Sequence, residues 1–544
     1  MSSEPAGPGG CGNGIMASAS EGNSEGSAGV FLRDATGIVK ELSARDVFAW
    51  TVVFFPWLTS WAGIFWVTPD FYQNVNYYAG LAVWGTIALV IVLLYWQLTS
   101  IMPKTGGDYV FISRILSSPV GFIASFLFFV SLLISAGSGS YWAFTEAGTQ
   151  LSFAGQVLGN QWMTSLGGSM TPGASSSPWI LMAGGIAILA LGTAVVVLGG
   201  KALKYVVYAF FGIGVVAMVI VVVVFLTSSG SQFASAYGSH FSGGVSAVMA
   251  QAAAKGYAPG ASLSSLGAVV PLLFVSIGPY PVMQLVGGEL KKPRRSLLYG
   301  LVLAEMVSIA AWFGLTYLLD TRVGISFIEA WTVSNGYSST VPTAFATVLN
   351  GNPILLWFLV VALFVGNIGW SWLALAFISR LFLAWSFDRI IPAKFASVSD
   401  RFHTPAVAIV FTAALATIPM YLQYFTSFIT TQVNAIFFYS VVWFLAAVSA
   451  ILLPLTRKDI YGSPGGKTRR VPLISLLGTL AAALFAYLGY NSVANPAIGP
   501  FSGAAEAFTA LVVAIPAVIY ASSYWLNGRR GVDLSRLHSQ LPPD

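Results

Sequence analysis

Long apolar runs separated by short polar segments dominate this chain. Twelve runs of roughly 20 predominantly apolar residues lie near 46–67, 77–101, 119–146, 178–199, 205–228, 264–288, 297–319, 354–380, 405–425, 434–454, 471–491 and 506–526. About 20 residues rising about 1.5 Å each is the length a helix needs to cross a hydrocarbon core about 30 Å thick. The runs are solidly apolar rather than alternating, which predicts helices and argues against barrel strands. The expected fold class is therefore an all-α polytopic membrane protein. The first 29 residues are mostly Gly, Ser, Ala and Pro with three glutamates, and such a stretch buries too little apolar surface to offset its ordering entropy. It reads as a disordered tail without the basic start and apolar core of a cleaved signal peptide. Val30–Leu42 reads as a short surface helix ahead of the first span.

Composition excludes the soluble alternative. Charged residues make up 8% of the 544, against about 25% in an ordinary soluble domain, too few for a water-facing shell. The single cysteine, Cys11, has no partner within the chain. Twelve spans place both termini on one side, and 23 of the 25 Lys and Arg residues then fall on that side; only Lys255 and Arg322 fall opposite. By the positive-inside bias that side is cytoplasmic. The net charge of +6 thus reports topology and contact with anionic lipid. No basic stripe interleaved with aromatics points to nucleic acid. His240, His403 and His538 are scattered, no metal constellation is present, and no phosphate-binding glycine loop appears. No cofactor and no enzymatic chemistry are expected.

The informative positions are the interruptions. The first span carries Pro56 and Gly63 within Phe55–Phe65; the sixth carries Gly278-Pro279-Tyr280-Pro281. Proline removes an amide donor, glycine tolerates unwound backbone, and backbone freed at membrane depth is tolerated only beside protein or a cavity. Breaks at corresponding positions of two halves are the sequence sign of a transporter site. A single kinked helix carries no ligand by default, but two kinks five spans apart favour a site. Among the tryptophans, Trp57, Trp61, Trp66 and Trp142 are candidates for lining a pocket, with interfacial anchoring as the ordinary reading. Trp61 and Tyr280 stand apart because they sit in the broken segments.

Glu305 is the most informative single charge. It lies ten residues after Arg295, so about 15 Å into a core about 30 Å thick. An ionised group there must be paired, hydrated or protonated, which makes Glu305 a candidate for coupling transport to a proton, with a hydrogen-bonded structural role as the alternative. Glu289 and Asp108 are candidates for gating at the inner face, where Lys104, Asp108 and Arg114 are expected to form charge pairs. Anchoring to anionic headgroups is the plainer account of the basic run Lys291 to Arg295.

Four stretches resemble the amino acid–polyamine–organocation (APC) superfamily of transporters, amino acid permease type. These are Met102-Pro103-Lys104-Thr105-Gly106-Gly107-Asp108-Tyr109, Gly288-Glu289-Leu290-Lys291-Lys292-Pro293-Arg294-Arg295, Ser379-Arg380-Leu381-Phe382 with Asp388-Arg389-Ile390-Ile391-Pro392, and Arg401-Phe402-His403-Thr404-Pro405. The resemblance implies a 5+5 inverted-repeat core with broken helices 1 and 6, two added helices, and a mid-membrane site between spans one, three, six and eight. It also implies that the span-one segment Ala62-Gly63-Ile64-Phe65 binds a substrate carboxylate through backbone amides. Trp61 stands where the family pattern has its first glycine, and no carboxylate follows Tyr280.

The expected organisation is a cytoplasmic tail (1–44), a first repeat (45–228), an extracellular loop (229–263), a second repeat (264–456), two further spans (457–528) and a cytoplasmic C-terminal tail (529–544). The expected function is secondary active transport of amino acids, most of all neutral ones, across the plasma membrane by alternating access. Symport or antiport is expected, with a proton or a sodium ion as the candidate coupling ion. A carrier of polyamine or another organic amine is the alternative, and a channel comes after that. Expected substrate-binding residues are Ser60, Trp61, Ala62, Gly63, Ser276, Ile277, Gly278 and Tyr280; the partners are that small molecule and the lipid bilayer.

Overall fold

A computed structural model describes residues 39–65, 74–173, 176–278, 281–335, 341–425, 434–462, 472–495 and 503–542. The N-terminal tail, Cys11, Trp66 and Tyr280 lie outside the described residues. Among the described residues the chain is almost entirely helical, with three isolated bridges and no strands. In chain order the helices are α1 (Ala44–Phe54), α2 (Trp57–Ile64), α3 (Tyr77–Ile101), α4 (Asp108–Ile115), α5 (Ser118–Leu158), α6 (Gln161–Met170), α7 (Pro178–Val197), α8 (Gly200–Leu226), α9 (Gly230–His240) and α10 (Gly244–Ala254). They continue as α11 (Leu266–Ile277), α12 (Pro293–Leu297), α13 (Leu303–Arg322), α14 (Ile325–Asn335), α15 (Val341–Leu349), α16 (Pro353–Phe387) and α17 (Ala406–Phe425). The last four are α18 (Asn434–Thr456), α19 (Lys458–Tyr461), α20 (Leu473–Ala494) and α21 (Ala504–Arg529).

Among the described residues ten helices are long and apolar enough to cross a membrane, α12 and α13 forming one continuous span, and the bent pair α1–α2 makes an eleventh. The sixth expected run, 264–288, is helical only in its first half. It is the short apolar α11, followed by buried 3₁₀ turns at Met283–Leu285 and Gly287–Glu289. Each of the twelve apolar runs therefore corresponds to helix, and two of them are broken.

Three boundaries differ from the pattern reading. The third span was expected to end at 146, but α5 runs 41 residues to Leu158. No proline interrupts it, and its cap is Gly159 in the left-handed region at φ 64°. The stretch 229–263, expected as a loop, contains α9 and α10. A capping box starts α9: Gln232 N–H donates to Ser229 Oγ at 3.2 Å, and Ser229 N–H donates to Gln232 Oε1 at 2.8 Å. Leu42, placed at the end of a surface helix, instead bridges Leu290 in extended form.

The charges gather on one face of the bundle. Leu42 N–H donates to Glu289 O, Lys204 pairs with Asp46 at 2.7 Å, Thr404 Oγ1 donates to Val197 O, and Arg457 Nη2 donates to Ser539 O. These bonds join the N-terminal stretch, the segments between successive spans and the C-terminal segment, the segregation that the lysine and arginine pattern anticipates. The opposite face carries α9, α10, α14 and α15. There Lys255 Nζ donates to the carbonyls of Val333 and Ser334, and the Tyr257 hydroxyl donates to Glu329 Oε2 at 2.6 Å.

Glu329 is buried, and its Oε1 has no hydrogen-bond partner among the described residues. Burial pushes its carboxyl up to about 7, with the Tyr257 bond acting the other way; Tyr77, at the start of α3, is the other titratable group beside it. The folded protein thus holds this proton more tightly than an unfolded chain, whose glutamate titrates near 4.5. The stability it contributes is complete below the ordinary carboxyl range and is lost as pH rises through about 7. Thermal unfolding of the purified protein should therefore shift to lower temperature between about pH 4.5 and about pH 7 and change little above that. Glu329→Gln should flatten that part of the profile, and an unchanged slope in the variant would contradict the assignment.

Candidate substrate site at two broken helices

The break in the first span lies at Phe55–Pro56. Phe55 leaves helical geometry (φ −122°, ψ 75°), and the axes of α1 and α2 diverge by 42°. Pro56 has no amide to donate back to α1, which ends that helix. Helical conformation resumes at Trp57, so the first amides of α2 fall outside the intrahelical ladder. The expected unwound segment is thereby shifted: Ser60, Trp61, Ala62 and Gly63 are inside α2 rather than in open backbone. A lone glycine in a helix costs only about 1 kcal/mol, whereas proline costs about 3, so proline decides where the helix stops.

The second break follows Ile277. Gly278 takes φ 76° and ψ −156°, a conformation that side-chain-bearing residues avoid. Its freed carbonyl accepts a hydrogen bond from the Trp84 indole of α3. Tyr280, expected beside it, is outside the described residues.

The structure brings the two segments together. A Cβ at Gly63 would lie 3.2 Å from Ser276 Cβ and 3.3 Å from Ser276 O, so α2 and α11 cross at glycine-to-serine contact. Ser60, Trp61, Ala62, Ile277 and Gly278 are buried around this crossing, and Ser276 is half-buried, its hydroxyl donating to Leu272 O. The Trp61 ring packs edge-on against Phe225, and its Nε1 has no partner among the described residues. A void of about 20 Å³ lies at the first break, lined by Pro56 and Thr59 with Phe210, Phe211 and Gly366. Such a volume holds about one water, so the helices are closed around the break.

Behind the break, α16 carries a polar pair that the pattern reading missed. Gly366 faces Pro56 and Thr59, and the next residue, Asn367, donates to Glu146 Oε2 of α5 at 2.5 Å. One turn on, the Ser371 and Ser140 hydroxyls meet at 2.7 Å. Glu146 is the sole acidic residue between Asp108 and Glu289. That isolation was the available signal, masked because the third run seemed to end there.

Glu305 lies in the first turn of α13, buried, with Oε1 unpartnered among the described residues. A π-helical turn, Leu298–Val302, immediately precedes it and presses on α1: a Cβ at Gly300 would lie 2.5 Å from Val47 Cβ. Such turns recur at functional positions.

The two gating candidates sit on the basic face. Glu289 is bidentate with Arg380, at 2.8 and 3.2 Å. Asp108 does not pair with Lys104 or Arg114 as expected; it accepts from the Tyr95 hydroxyl and, at 2.8 Å, from Gln284 Nε2. Burial pushes its carboxyl up to about 6, with those two bonds acting the other way. Six residues along a helix is a rotation of about 240°, so Arg114 projects elsewhere, into a bidentate pair with Asp388 at 2.7 and 2.8 Å. Gly106 and Gly107, at φ 103° and 46°, let the segment after α3 lie directly on Gln284 and Leu285. Among the described residues no group of His, Cys, Asp and Glu suits a metal ion.

The crossing predicts a steric test. Gly63→Ala places a methyl against Ser276, and overpacking of this kind costs about 1–3 kcal/mol. Substrate uptake should fall about tenfold or more with expression retained. Gly212→Ala in α8, where nothing lies within 4 Å of the added carbon, should transport normally. Equal uptake by the two variants would remove the crossing from the site.

Comparison with protein families matches a model described as amino acid permease over residues 46–518. Comparison with curated proteins returns no match. The matched region runs from the first turn of α1 into α21, taking in both broken helices and the polar pair behind them. This multi-span membrane protein is a transporter of amino acids or other organic substrates, and the chain belongs to the amino acid permease family.

Proposed function

We propose that the protein is a secondary active transporter of neutral amino acids in the plasma membrane, with both termini cytoplasmic, working by alternating access. The observation that carries this reading is the crossing of the two broken segments at Gly63 and Ser276. Neither segment contains Asp, Glu, Lys or Arg. Free amides at the start of α2 suit a carboxylate, through hydrogen bonds and the positive end of the helix dipole. The carbonyls and hydroxyls near Ser276 and Gly278 suit an ammonium group. A net-charged substrate would lack a local counter-ion and bear a desolvation cost. Trp61 shapes the site, while Glu289 and Asp108, held on the basic face, gate it. Alternation then consists of the two halves rocking about the crossing, with the bonds of the basic face parting as the opposite face closes.

Glu146 supports a second reading. An acidic group one helix behind the break favours an organic amine, its carboxylate exchanging Asn367 for the cation. Uptake in proteoliposomes separates the two: alanine, serine, leucine and phenylalanine should compete, whereas putrescine, lysine and glutamate should not. Preferential uptake of the diamine would overturn the neutral amino acid assignment, and conductance without saturation or counterflow would overturn the carrier mechanism.

Glu305 we assign to coupling rather than to substrate contact. The π turn beside it touches α1, a contact that supports a bias of the first broken helix by Glu305 protonation. Glu305→Gln keeps the shape and removes titration. The variant should lose pH-driven accumulation while retaining substrate exchange; unchanged accumulation across pH would leave Glu305 a structural role.

A further inference from the structure

A cavity of about 580 Å³ lies between α2, α8 and α13, away from the helix crossing. That volume is within the range of about 300–1,000 Å³ typical of ligand sites. Its walls are Trp57, Met218, Val222, Leu226, Leu315 and Leu318, and it opens at the perimeter of the bundle, where Leu226 and Tyr317 are exposed. The last turn of α13 adds Thr321 and Arg322 to the lining. Arg322 is one of the two cations that depart from the basic face. Its Nε is buried without a hydrogen-bond partner among the described residues. Asp320, the nearest carboxylate along the chain, is engaged by the Tyr78 hydroxyl at 2.9 Å and by Ile325 N–H at 3.1 Å.

We propose that this groove binds one acyl chain of an anionic lipid, with the headgroup held by Arg322. An apolar channel on the membrane-facing perimeter selects a hydrocarbon tail. A cation at its mouth with no ion pair among the described residues, at the end of a spanning helix, selects a negative headgroup over a zwitterionic one. The site also bears on transport. Trp57 is both a wall of the groove and the first residue of α2, and its Nε1 donates to Ser308 of α13 at 3.0 Å. A bound chain therefore braces the outer half of the first broken helix against α13, and favours whichever state keeps α2 in this position.

The groove has a built-in steric probe. Nothing lies within 4 Å of a Cβ added at Gly314, which lines the channel, so Gly314→Leu starts its side chain in open space and directs bulk into the channel. The purified full-length protein in neutral detergent is exposed to phosphatidylglycerol, to phosphatidylcholine of the same chains, or to glycerol phosphate, and retained molecules are counted by native mass spectrometry. Phosphatidylglycerol should be held as one molecule per protein, about fivefold more tightly than phosphatidylcholine. Arg322→Gln should bring the two lipids level, Gly314→Leu should weaken both more than about tenfold, and glycerol phosphate should not be retained. Equal retention of the two lipids by the unmodified protein, or undiminished retention by Gly314→Leu, would overturn the proposal. Retention of glycerol phosphate would mark a free-anion site instead. None of these readouts depends on which substrate is carried.

Discussion

A carbonyl or amide freed from its helix inside hydrocarbon costs several kcal/mol unless protein meets it, and the architecture around the two breaks is organised by that constraint. The Gly278 carbonyl is met by the Trp84 indole; the Pro56 carbonyl accepts from Ser60 N–H and from the Thr59 hydroxyl. Pro56 contributes no amide that would need a partner. Breaks are thus possible only deep in the bundle, where α3, α8, α11 and α16 can surround them. The same economy governs the hydroxyls of the spans: Ser131, Ser135 and Ser440 each donate to the carbonyl one turn back. Polar groups left without such partners, Trp61 Nε1 and Glu305 Oε1 among them, are the ones with capacity to spare for a substrate or a proton.

Charge obeys the same rule at higher stakes. Arg114 and Asp388 are almost completely buried, at 0% and 1% side-chain exposure, and removing one member of such a pair costs about 3–5 kcal/mol. The Tyr109 hydroxyl also donates to Asp388, and Arg114 Nε donates to Gln540 O, so the C-terminal segment is tied to the same pair. With Glu289–Arg380 alongside, the basic face is closed by charged bonds that join segments distant in the chain. The opposite face is held by the Tyr257–Glu329 bond and by Lys255 on carbonyls. The two faces therefore differ in kind: one is locked by ion pairs, the other by hydrogen bonds to a buried carboxyl and to backbone carbonyls.

The broken first helix links these features. At its start, Asp46 is held by Lys204 and the Tyr208 hydroxyl; nearby, Val47 meets the π turn ahead of Glu305. Beyond the break, Trp57 is bonded to α13, and Gly63 crosses Ser276. Proton, substrate and lipid would all act on one element, so each can shift the population of states favoured by the others without a separate transmission path.

Much of this was legible in the residues. The apolar runs, the segregation of lysine and arginine, the glycine pair after α3 and the proline and glycine breaks are local properties, because span length, charge sidedness and backbone freedom depend on residues close in sequence. The two broken spans follow on that basis. Partnership was not legible. Asp108 and Arg114 are near neighbours that project to different sides of a helix, and Arg114 finds Asp388 only when two distant segments meet. Glu146 looked like the end of a span until α5 carried on past it to face Asn367. The exact place where the first helix parts, and the groove that ends at Arg322, also belong to the tertiary structure. The sequence by itself determined which apolar runs form the spanning helices, which of them break and which face is basic, since each follows from local hydrophobicity and backbone chemistry; only packing decided the exact point of the first break and which polar groups meet, because that depends on how helices far apart in the chain lie against one another.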